Sequence, residues 1–172
     1  MIYKNVMSLE RNMCTACGAC ENICPTDSIM MIDDKEGFLY PQVDKKTCIN
    51  CGRCKKVCPL INRRECNKHL GSTIYIAWSL NDEIRKQSSS GGIFTELAMG
   101  FFDKGGYVAG AIYDENYLVR HYITDRVEEL SLLRKSKYVQ SKTGLIFKEI
   151  ESILEQNKHV MFVGTPCQSA GL

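Results

Sequence analysis

The sequence has no apolar run long enough to span a bilayer, which predicts that no transmembrane segment is present. Its N-terminus, MIYKNVMSLERN, lacks the apolar stretch of a secretory signal peptide, so we expect a cytoplasmic protein. A strong excess of one charge is also missing, because 22 Lys and Arg residues stand against 20 Asp and Glu residues. This balance argues against a nucleic-acid partner. Histidine is scarce, and its three positions show no metal-ligand spacing.

Cysteine, by contrast, is abundant, with ten in 172 residues. Clustered thiols in a reducing compartment more often bind metal than form disulfides. Eight of the cysteines form two runs of the pattern Cys-x2-Cys-x2-Cys-x3-Cys-Pro. The runs comprise Cys14, Cys17, Cys20 and Cys24, and then Cys48, Cys51, Cys54 and Cys58. Gly18 and Gly52 occupy matching positions, which indicates that one small unit has been duplicated.

This spacing is typical of ferredoxins with two 4Fe–4S clusters, in which the fourth cysteine of each run binds the other cluster. The predicted ligands of cluster one are Cys14, Cys17, Cys20 and Cys58, and those of cluster two are Cys48, Cys51, Cys54 and Cys24. Structural zinc is the alternative, but zinc sites usually consist of paired CxxC knuckles with longer gaps. Two clusters in one small domain predict electron transfer.

Residues 1–62 are therefore predicted to form the ferredoxin-type domain. Within it, residues 29–32 and 38–43 read as short strands, and residues 19–23 and 53–57 as single helical turns. Residues 63–71 are polar and basic and predict a linker. Cys66 has no partner at ligand spacing, and a free structural thiol is its simplest interpretation.

From residue 72 onward, predicted strands alternate with predicted helices, which indicates an α/β domain. The strands are predicted at 73–79, 107–113, 117–123 and 159–163, and the helices at 93–103, 128–133 and 143–156. The chain ends at Leu172 shortly after a strand, which suggests a fragment with an incomplete domain over 72–172. The predicted fold class is α+β, a bacterial two-4Fe–4S ferredoxin-type domain followed by this incomplete α/β domain.

Two motifs in this second part suggest further sites. Ser89, Ser90, Gly91 and Gly92 directly precede a predicted helix, whose free N–H groups would suit a phosphate or a flavin pyrophosphate. The alternative is a plain helix cap by Ser90. Cys167 follows a strand at a possible helix start, where its thiol pKa would be lowered, which suggests a redox or catalytic residue near a flavin. The alternative is a buried small hydrophobic residue.

Three stretches carry a family resemblance, namely residues 88–94 (SSSGGIF), 136–141 (SKYVQS) and 164–172 (GTPCQSAGL). Following a two-cluster ferredoxin domain, they resemble the coenzyme F-420 hydrogenase/dehydrogenase beta-subunit family over nearly the whole chain. The resemblance implies an iron–sulfur flavoprotein that binds FAD and passes electrons between the clusters, the flavin and an organic acceptor such as the deazaflavin coenzyme F-420.

The resemblance also implies an electron donor, either a redox partner protein or a small molecule. We therefore expect a component of an iron–sulfur oxidoreductase. The alternative is a stand-alone, two-cluster, ferredoxin-like electron carrier without catalysis of its own.

Overall fold

The computed structural model describes residues 5–62 and 73–172, which divide into two compact units. The first unit contains residues 5–62 together with Thr143–Glu149 and Gly164–Leu172. The second contains residues 73–142 together with Ile150–Val163. Two segments from the predicted α/β domain thus belong to the unit of the cysteine runs. The predicted linker at 63–71 and Cys66 lie outside the described residues.

The first unit is built from the two halves of the cysteine repeat and a hairpin. Its elements before residue 63 are α1 (Ala19–Asn22), β1 (Ile29–Asp33), β2 (Leu39–Val43) and α2 (Arg53–Val57). The strands pair antiparallel, with Ile29 opposite Val43. Asp34 closes the turn between them, because its carboxylate accepts the N–H groups of Glu36 and Phe38, each at 2.9 Å. The predicted helical turns and strands are confirmed to within one residue at each end.

Cysteines contribute directly to the core of this unit. Its buried apolar cluster consists of Val6, Cys20, Cys24, Ile29 and Cys54, against which Met31 and Val43 pack. A unit this small buries little apolar surface, so its stability is sensitive to each core residue. The predicted iron ligands are therefore also packing residues, and metal binding and folding of this unit are expected to be coupled.

The second unit is a small mixed sheet covered by helices. Its elements up to residue 133 are α3 (Asp82–Lys86), α4 (Ile93–Phe102), β3 (Tyr107–Tyr113), β4 (Val119–Thr124) and α5 (Leu130–Leu133). The last strand of this unit is β5 (Val160–Phe162). Helix α6 (Ile146–Glu155) has its first residues in the first unit and the rest in the second, and α7 (Pro166–Gly171) belongs to the first unit. The sheet has the order β4-β3-β5, in which β3 pairs antiparallel with β4 and parallel with β5. Its core consists of Ala98, Val108, Ile112, Leu130 and Leu133.

The strand predicted at 73–79 is wrong. These residues have no regular secondary structure and pair with no strand among the described residues, and Ile74 and Ile76 are 90% and 91% exposed. At the end of the segment, the Ser79 N–H donates to the Gly91 carbonyl at 2.7 Å. A β-branched, apolar run favours a strand, but a strand is stable only where a partner supplies the ladder.

Two predicted boundaries of the second part also shift. β4 begins at Val119, because the Asp114 carboxylate accepts the N–H groups of Asn116 and Leu118 and so lengthens the turn. α6 begins at Ile146, after Gly144 in a left-handed conformation with φ of 55°. The burial of β5 also differs from the prediction, because it is half-buried and, among the described residues, an edge strand that pairs with β3 alone.

His121 on β4 is the most buried titratable side chain of the sheet, with 5% exposure. Its Nε2 lies 3.3 Å from the Val163 carbonyl, which can only accept, so this nitrogen carries the proton. The ring stacks on Phe162 with 5.3 Å between centroids. Burial lowers the pKa of His121. The imidazole is therefore a neutral core residue, in keeping with its lack of ligand spacing.

Candidate functional site

The two cysteine loops share an unusual backbone conformation. Gly18 and Gly52 are left-handed, with φ of 77° and 76°, and they are the N-caps of α1 and α2. Ala16 and Asn50, two positions earlier, are left-handed as well, with φ of 52° and 53°. Such values are uncommon for residues other than glycine. In each loop, two left-handed residues thus flank the second cysteine and reverse the chain direction around it.

One cavity in the first unit is lined by four cysteines, Cys14, Cys17, Cys20 and Cys58. Three come from the first run and the fourth from the end of the second run. Its other walls are mainly apolar and include Val6, Leu9, Ala16, Ala19, Met31, Pro59 and Leu60. The four thiols are the set predicted to bind cluster one, although the ligation itself stays a prediction.

The electrostatics of these thiols suit a cationic occupant. Burial is the main cause that raises the pKa values of Cys14, Cys17 and Cys20. Neighbouring thiolates raise them further, and Cys58 acts on both Cys14 and Cys17. Several buried thiolates of like charge are unstable together unless positive charge lies between them. The donor set therefore fits an iron–sulfur cluster, whose irons bind cysteine as thiolate.

Three of the four predicted ligands of cluster two, Cys24, Cys51 and Cys54, are also neighbours. Burial raises the pKa of Cys54, and the nearby thiols of Cys51 and Cys24 add to that rise. Cys24 thus faces a cysteine of the second run, as the crossed ligand assignment requires. Its sulfur accepts the Ser28 N–H at 3.3 Å. Burial opposes ionisation of Cys24, but hydrogen bonds from Thr26 and Ser28 outweigh it, and the pKa of Cys24 is lowered.

No three His, Cys, Asp or Glu side chains among residues 5–62 and 73–172 converge on a point where one metal ion would bind. A cubane cluster has a different requirement, because each of its four thiolates binds a separate iron atom.

The loop of cluster one (residues 14–20) is held in place by a later part of the first unit. The Thr143 hydroxyl donates to the Cys17 carbonyl at 3.1 Å. A Cβ atom on Gly18 would lie 2.9 Å from the Thr143 side chain, so only glycine fits there. The contact fixes the peptide between the second and third cysteines.

Asn22 connects α1 to the beginning of α6 through a buried hydrogen-bond network. Its amide nitrogen donates to the carbonyls of Gly18 and Gly144 at 2.9 and 2.7 Å. Its amide oxygen accepts the N–H groups of Phe147 and Lys148 at 3.1 and 3.3 Å. Both N–H groups belong to the first turn of α6, where backbone acceptors are scarce. The Lys148 N–H is shared with the Leu145 carbonyl at 3.0 Å. Asn22 therefore caps a helix that lies more than a hundred residues away in sequence.

In the second unit, the predicted loop of Ser89, Ser90, Gly91 and Gly92 lines an open cleft. Gly92, with φ of 83°, is the N-cap of α4 and provides no side-chain cap. The alternative cap by Ser90 is therefore wrong. Close packing explains the glycines, since a Cβ atom on Gly91 would lie 2.8 Å from the Ala77 carbonyl oxygen.

Basic residues also line the cleft. They are Arg134 and Lys135, which are followed by Ser136. Arg134 is anchored by its Nε, which donates to the Thr95 hydroxyl at 3.1 Å. Lys135 is exposed and left-handed, with φ of 66°. A serine–glycine loop and two cations in one cleft are compatible with an anionic group such as a pyrophosphate.

Cys167 lies in the first turn of α7, which begins with Pro166. Its thiol is half-buried, rather than the fully buried small residue of the alternative interpretation. Cys167 belongs to the first unit, near the loop of cluster one, whereas the serine–glycine loop belongs to the second. Its catalytic role stays a prediction.

Sequence reasoning missed Asn22, Thr143 and the capping box of α7. The capping box could have been recognised from the sequence, because Thr165 is followed three residues later by Gln168. The roles of Asn22 and Thr143 could not, since they depend on partners far away in sequence.

Three family models match the chain. Residues 13–60 and residues 40–106 match two models described as 4Fe-4S dicluster domain. Residues 74–147 match the model described as coenzyme F420 hydrogenase/dehydrogenase, beta subunit N-term. A search of the curated proteins found no significant match. The dicluster matches support iron–sulfur clusters over structural zinc at the two cysteine runs, and they agree with the α+β fold class.

The order of these matches is the order that the sequence predicts, with cluster loops first and the beta-subunit segment second. The predicted resemblance is therefore confirmed: residues 74–147 are similar to the N-terminal part of the coenzyme F420 hydrogenase/dehydrogenase beta subunit, and they follow residues that are similar to 4Fe–4S dicluster domains.

Proposed function

We propose that this chain is an electron-transferring component of an iron–sulfur oxidoreductase, in which two 4Fe–4S clusters exchange electrons with a flavin and an organic acceptor. The observation that carries the proposal is the cavity lined by Cys14, Cys17, Cys20 and Cys58, which joins cysteines of both runs. When bound, each cluster supplies one-electron redox chemistry. The proposed ligands of cluster two are Cys48, Cys51, Cys54 and Cys24.

The protein's own groups would bind and tune the clusters. Apolar walls such as Val6, Leu9 and Leu60 keep water from the cavity. The N–H of Ser28 stabilises charge on the Cys24 sulfur, and such bonds raise the potential of a cluster. Two clusters within one unit form a path along which electrons enter at one cluster and leave at the other.

The first test is the metal content of the full chain prepared without oxygen. We expect iron and acid-labile sulfide for two clusters per chain, and colour that dithionite bleaches. Because Cys20, Cys24 and Cys54 are core residues, we also expect a chelator that removes the iron to lower the ellipticity of the protein in the far ultraviolet. Zinc in place of iron, or a colourless protein, would contradict the proposal.

FAD is the flavin that we propose, with its pyrophosphate in the cleft lined by Arg134, Lys135 and the loop of Ser89, Ser90, Gly91 and Gly92. Lys135 is exposed and would lose little structure on substitution. A charge-assisted contact to phosphate contributes roughly 1.5 kcal/mol, so Lys135→Ala should weaken FAD binding about tenfold. Titration of the full chain with FAD, followed by flavin fluorescence quenching, measures this.

Lys104→Ala is the matched control, because Lys104 is an exposed lysine of the same unit outside the cleft. Its FAD affinity should equal that of the parent. Equal weakening by both substitutions would indicate a general charge effect and count against the cleft. A parent chain that holds two clusters but no FAD would favour the ferredoxin-like electron carrier.

The electron donor is proposed to be a redox protein or a small reductant, and the acceptor a deazaflavin or another organic molecule. No helix among the described residues is long and apolar enough to cross a membrane. The cytoplasmic location stays a prediction.

A further inference from the structure

The two cysteine loops differ in how much of them reaches the surface. We call residues 48–54 the loop of cluster two, which is the counterpart of the loop of cluster one. Cys51 is exposed, and so is Asn50 before it. At the matching positions of the first loop, Cys17 is half-buried and Ala16 is only 5% exposed. The second loop therefore presents its middle cysteine to solvent, and the first loop does not.

Contacts within the first unit explain why the loop of cluster one is covered. The Thr143 hydroxyl donates to the Cys17 carbonyl at 3.1 Å. Helix α7 packs on the same loop, because a Cβ atom on Gly171 would lie 2.8 Å from the Ala19 Cβ and 3.4 Å from the Cys17 sulfur. An external protein can bring a redox centre close to a cluster only where the cluster loop is uncovered. Exchange with such a protein is therefore favoured at the loop of cluster two.

The duplicated segments also differ in charge. Residues 45–56 carry five cations and no Asp or Glu. The five cations are Lys45, Lys46, Arg53, Lys55 and Lys56. The matching residues 11–22 carry one cation, Arg11, and one anion, Glu21. Both segments hold the same cysteine pattern, so cluster binding does not account for the added positive charge.

The five cations are not neutralised by ion pairs within the described part of the chain. The ion pairs found there involve other cations, namely Arg11, Arg85, Lys86, Arg126 and Lys148. The acid that precedes the five cations, Asp44, closes a turn, where its carboxylate accepts the Lys46 N–H at 2.8 Å. Positive charge that is not compensated within the protein is complementary to an anionic partner.

Local helix stability explains only part of this charge. Lys55 and Lys56 lie in the last turn of α2, where the helix dipole favours cations. Arg53 is the first residue of the same helix, where the dipole disfavours a cation. Lys45 and Lys46 lie outside the helix, in the turn before the loop. These last three cations are all exposed, so a partner can reach them.

An apolar side chain lies within this charged surface. Ile49, next to Cys48, is 63% exposed. An apolar centre within a polar rim is typical of protein–protein interfaces. Residues 45–56 include no aromatic residue, so this segment lacks the side chains on which nucleic-acid bases stack. The composition of the surface therefore favours a protein over a nucleic acid.

We propose that the loop of cluster two is the docking surface for an acidic one-electron carrier protein that reduces the chain. The inference deepens the proposed function and rests on it, because it requires that cluster two is bound. One electron leaves the carrier, which is oxidised, and enters cluster two, which is reduced. No bond forms or breaks, and no proton is transferred. Acidic groups of the carrier meet Lys45, Lys46 and Arg53, and its apolar centre packs on Ile49.

The first test measures binding to the full chain, loaded with clusters in the absence of oxygen. The probe is an oxidised, acidic bacterial ferredoxin, titrated by calorimetry at low and at physiological salt. Lys46→Glu/Arg53→Glu should weaken binding at least about tenfold at low salt, because like charges then face each other. The difference should shrink as salt rises, since both positions are exposed.

Lys35→Glu/Lys104→Glu is the matched control. It changes the net charge by the same amount, at two exposed lysines outside the loop. Its affinity for the ferredoxin should equal that of the parent. Equal weakening by the two double variants would show an effect of net charge alone and overturn the proposal. Binding to the parent that does not change with salt would overturn it as well.

Further probes separate this partner from other classes. Ile49→Ser should weaken binding of the ferredoxin alike at both salt concentrations, because the contribution of Ile49 is apolar. A basic cytochrome c should not bind to the parent, since its charge has the same sign as the loop. If cytochrome c or duplex DNA binds as tightly as the ferredoxin, the surface is not specific for an acidic carrier and the proposal fails.

Lysine acetylation, followed by mass spectrometry, keeps the inference testable if the variants do not fold. The ferredoxin should protect Lys45 and Lys46 of the parent and leave Lys35 and Lys104 labelled. Unchanged labelling of Lys45 and Lys46 would contradict docking at this loop.

Electron transfer gives the final readout. Lys46→Glu/Arg53→Glu should keep the iron and sulfide of the parent. At low salt and limiting concentrations, reduced ferredoxin should bleach its colour at least about tenfold more slowly than that of the parent. Equal rates would overturn the inference and leave the proposed function intact. A parent without two clusters would instead refute the proposed function itself.

Discussion

The double variant Cys20→Ala/Cys24→Ala should lose both clusters, although its two positions are only four residues apart. Cys20 lines the cavity with Cys58, whereas Cys24 faces Cys54 of the second run. In the crossed arrangement each substitution removes a ligand of a different cluster. Each single variant should therefore retain half of the iron, and the double variant should retain almost none. Iron and sulfide analysis with electron paramagnetic resonance of the reduced protein measures this.

The comparison variant is Cys24→Ala/Cys54→Ala. Both of its substitutions remove ligands of cluster two, so it should lose only half of the iron, like either single variant. Uncrossed ligation, with each run binding its own cluster, reverses the two results. Loss of half in Cys20→Ala/Cys24→Ala and of all iron in Cys24→Ala/Cys54→Ala would therefore disprove the crossed assignment.

Asn22→Ala should be among the most destabilising substitutions in the first unit. It removes a buried side chain that bonds four backbone groups of α1 and α6. Buried polar groups left without partners cost about 1–3 kcal/mol each, and loss of a helix cap costs about 1 kcal/mol. We expect the free energy of unfolding to fall by about 3 kcal/mol. Urea unfolding of the cluster-loaded protein, followed by circular dichroism, measures it.

Asn62→Ala is the matched control. Asn62 also donates to backbone carbonyls, those of Lys55 and Lys56 at 2.6 and 2.7 Å, but it is exposed, so water can replace its bonds. We expect a loss of about 1 kcal/mol or less. If Asn22→Ala proves no more harmful than Asn62→Ala, the network does not stabilise the unit as inferred.

The elements of the first unit could be predicted well because their determinants are local. The cysteine spacing, Gly18, Gly52 and the Cys-Pro pairs fix where each helical turn begins and ends. In the second unit, the helix at 93–102 and the β3–β4 hairpin were likewise recognisable from periodicity and from the turn at Asp114. Each of these signals acts over fewer than about ten residues.

The wrong predictions concern features that depend on contacts between residues distant in sequence. The segment 73–79 has the composition of a strand, but pairing depends on a neighbour that composition does not specify. Ser90 was a reasonable cap by residue type, but the left-handed Gly92 takes that position. Asn22 and Thr143 acquire their roles only from segments brought together by the fold. The candidate site could therefore be predicted as a list of cysteines, but not the contacts that support its loop.

The first unit is formed from three separate segments of the chain, and this has a practical consequence. Thr143–Glu149 and Gly164–Leu172 belong to it although they follow residue 142. A shortened protein ending near residue 62 would contain every cysteine of both runs. It would nevertheless lack Thr143, the helix that Asn22 caps and the turn that carries Cys167. For protein engineering, we therefore expect a fragment of residues 1–62 to be less stable than the full chain.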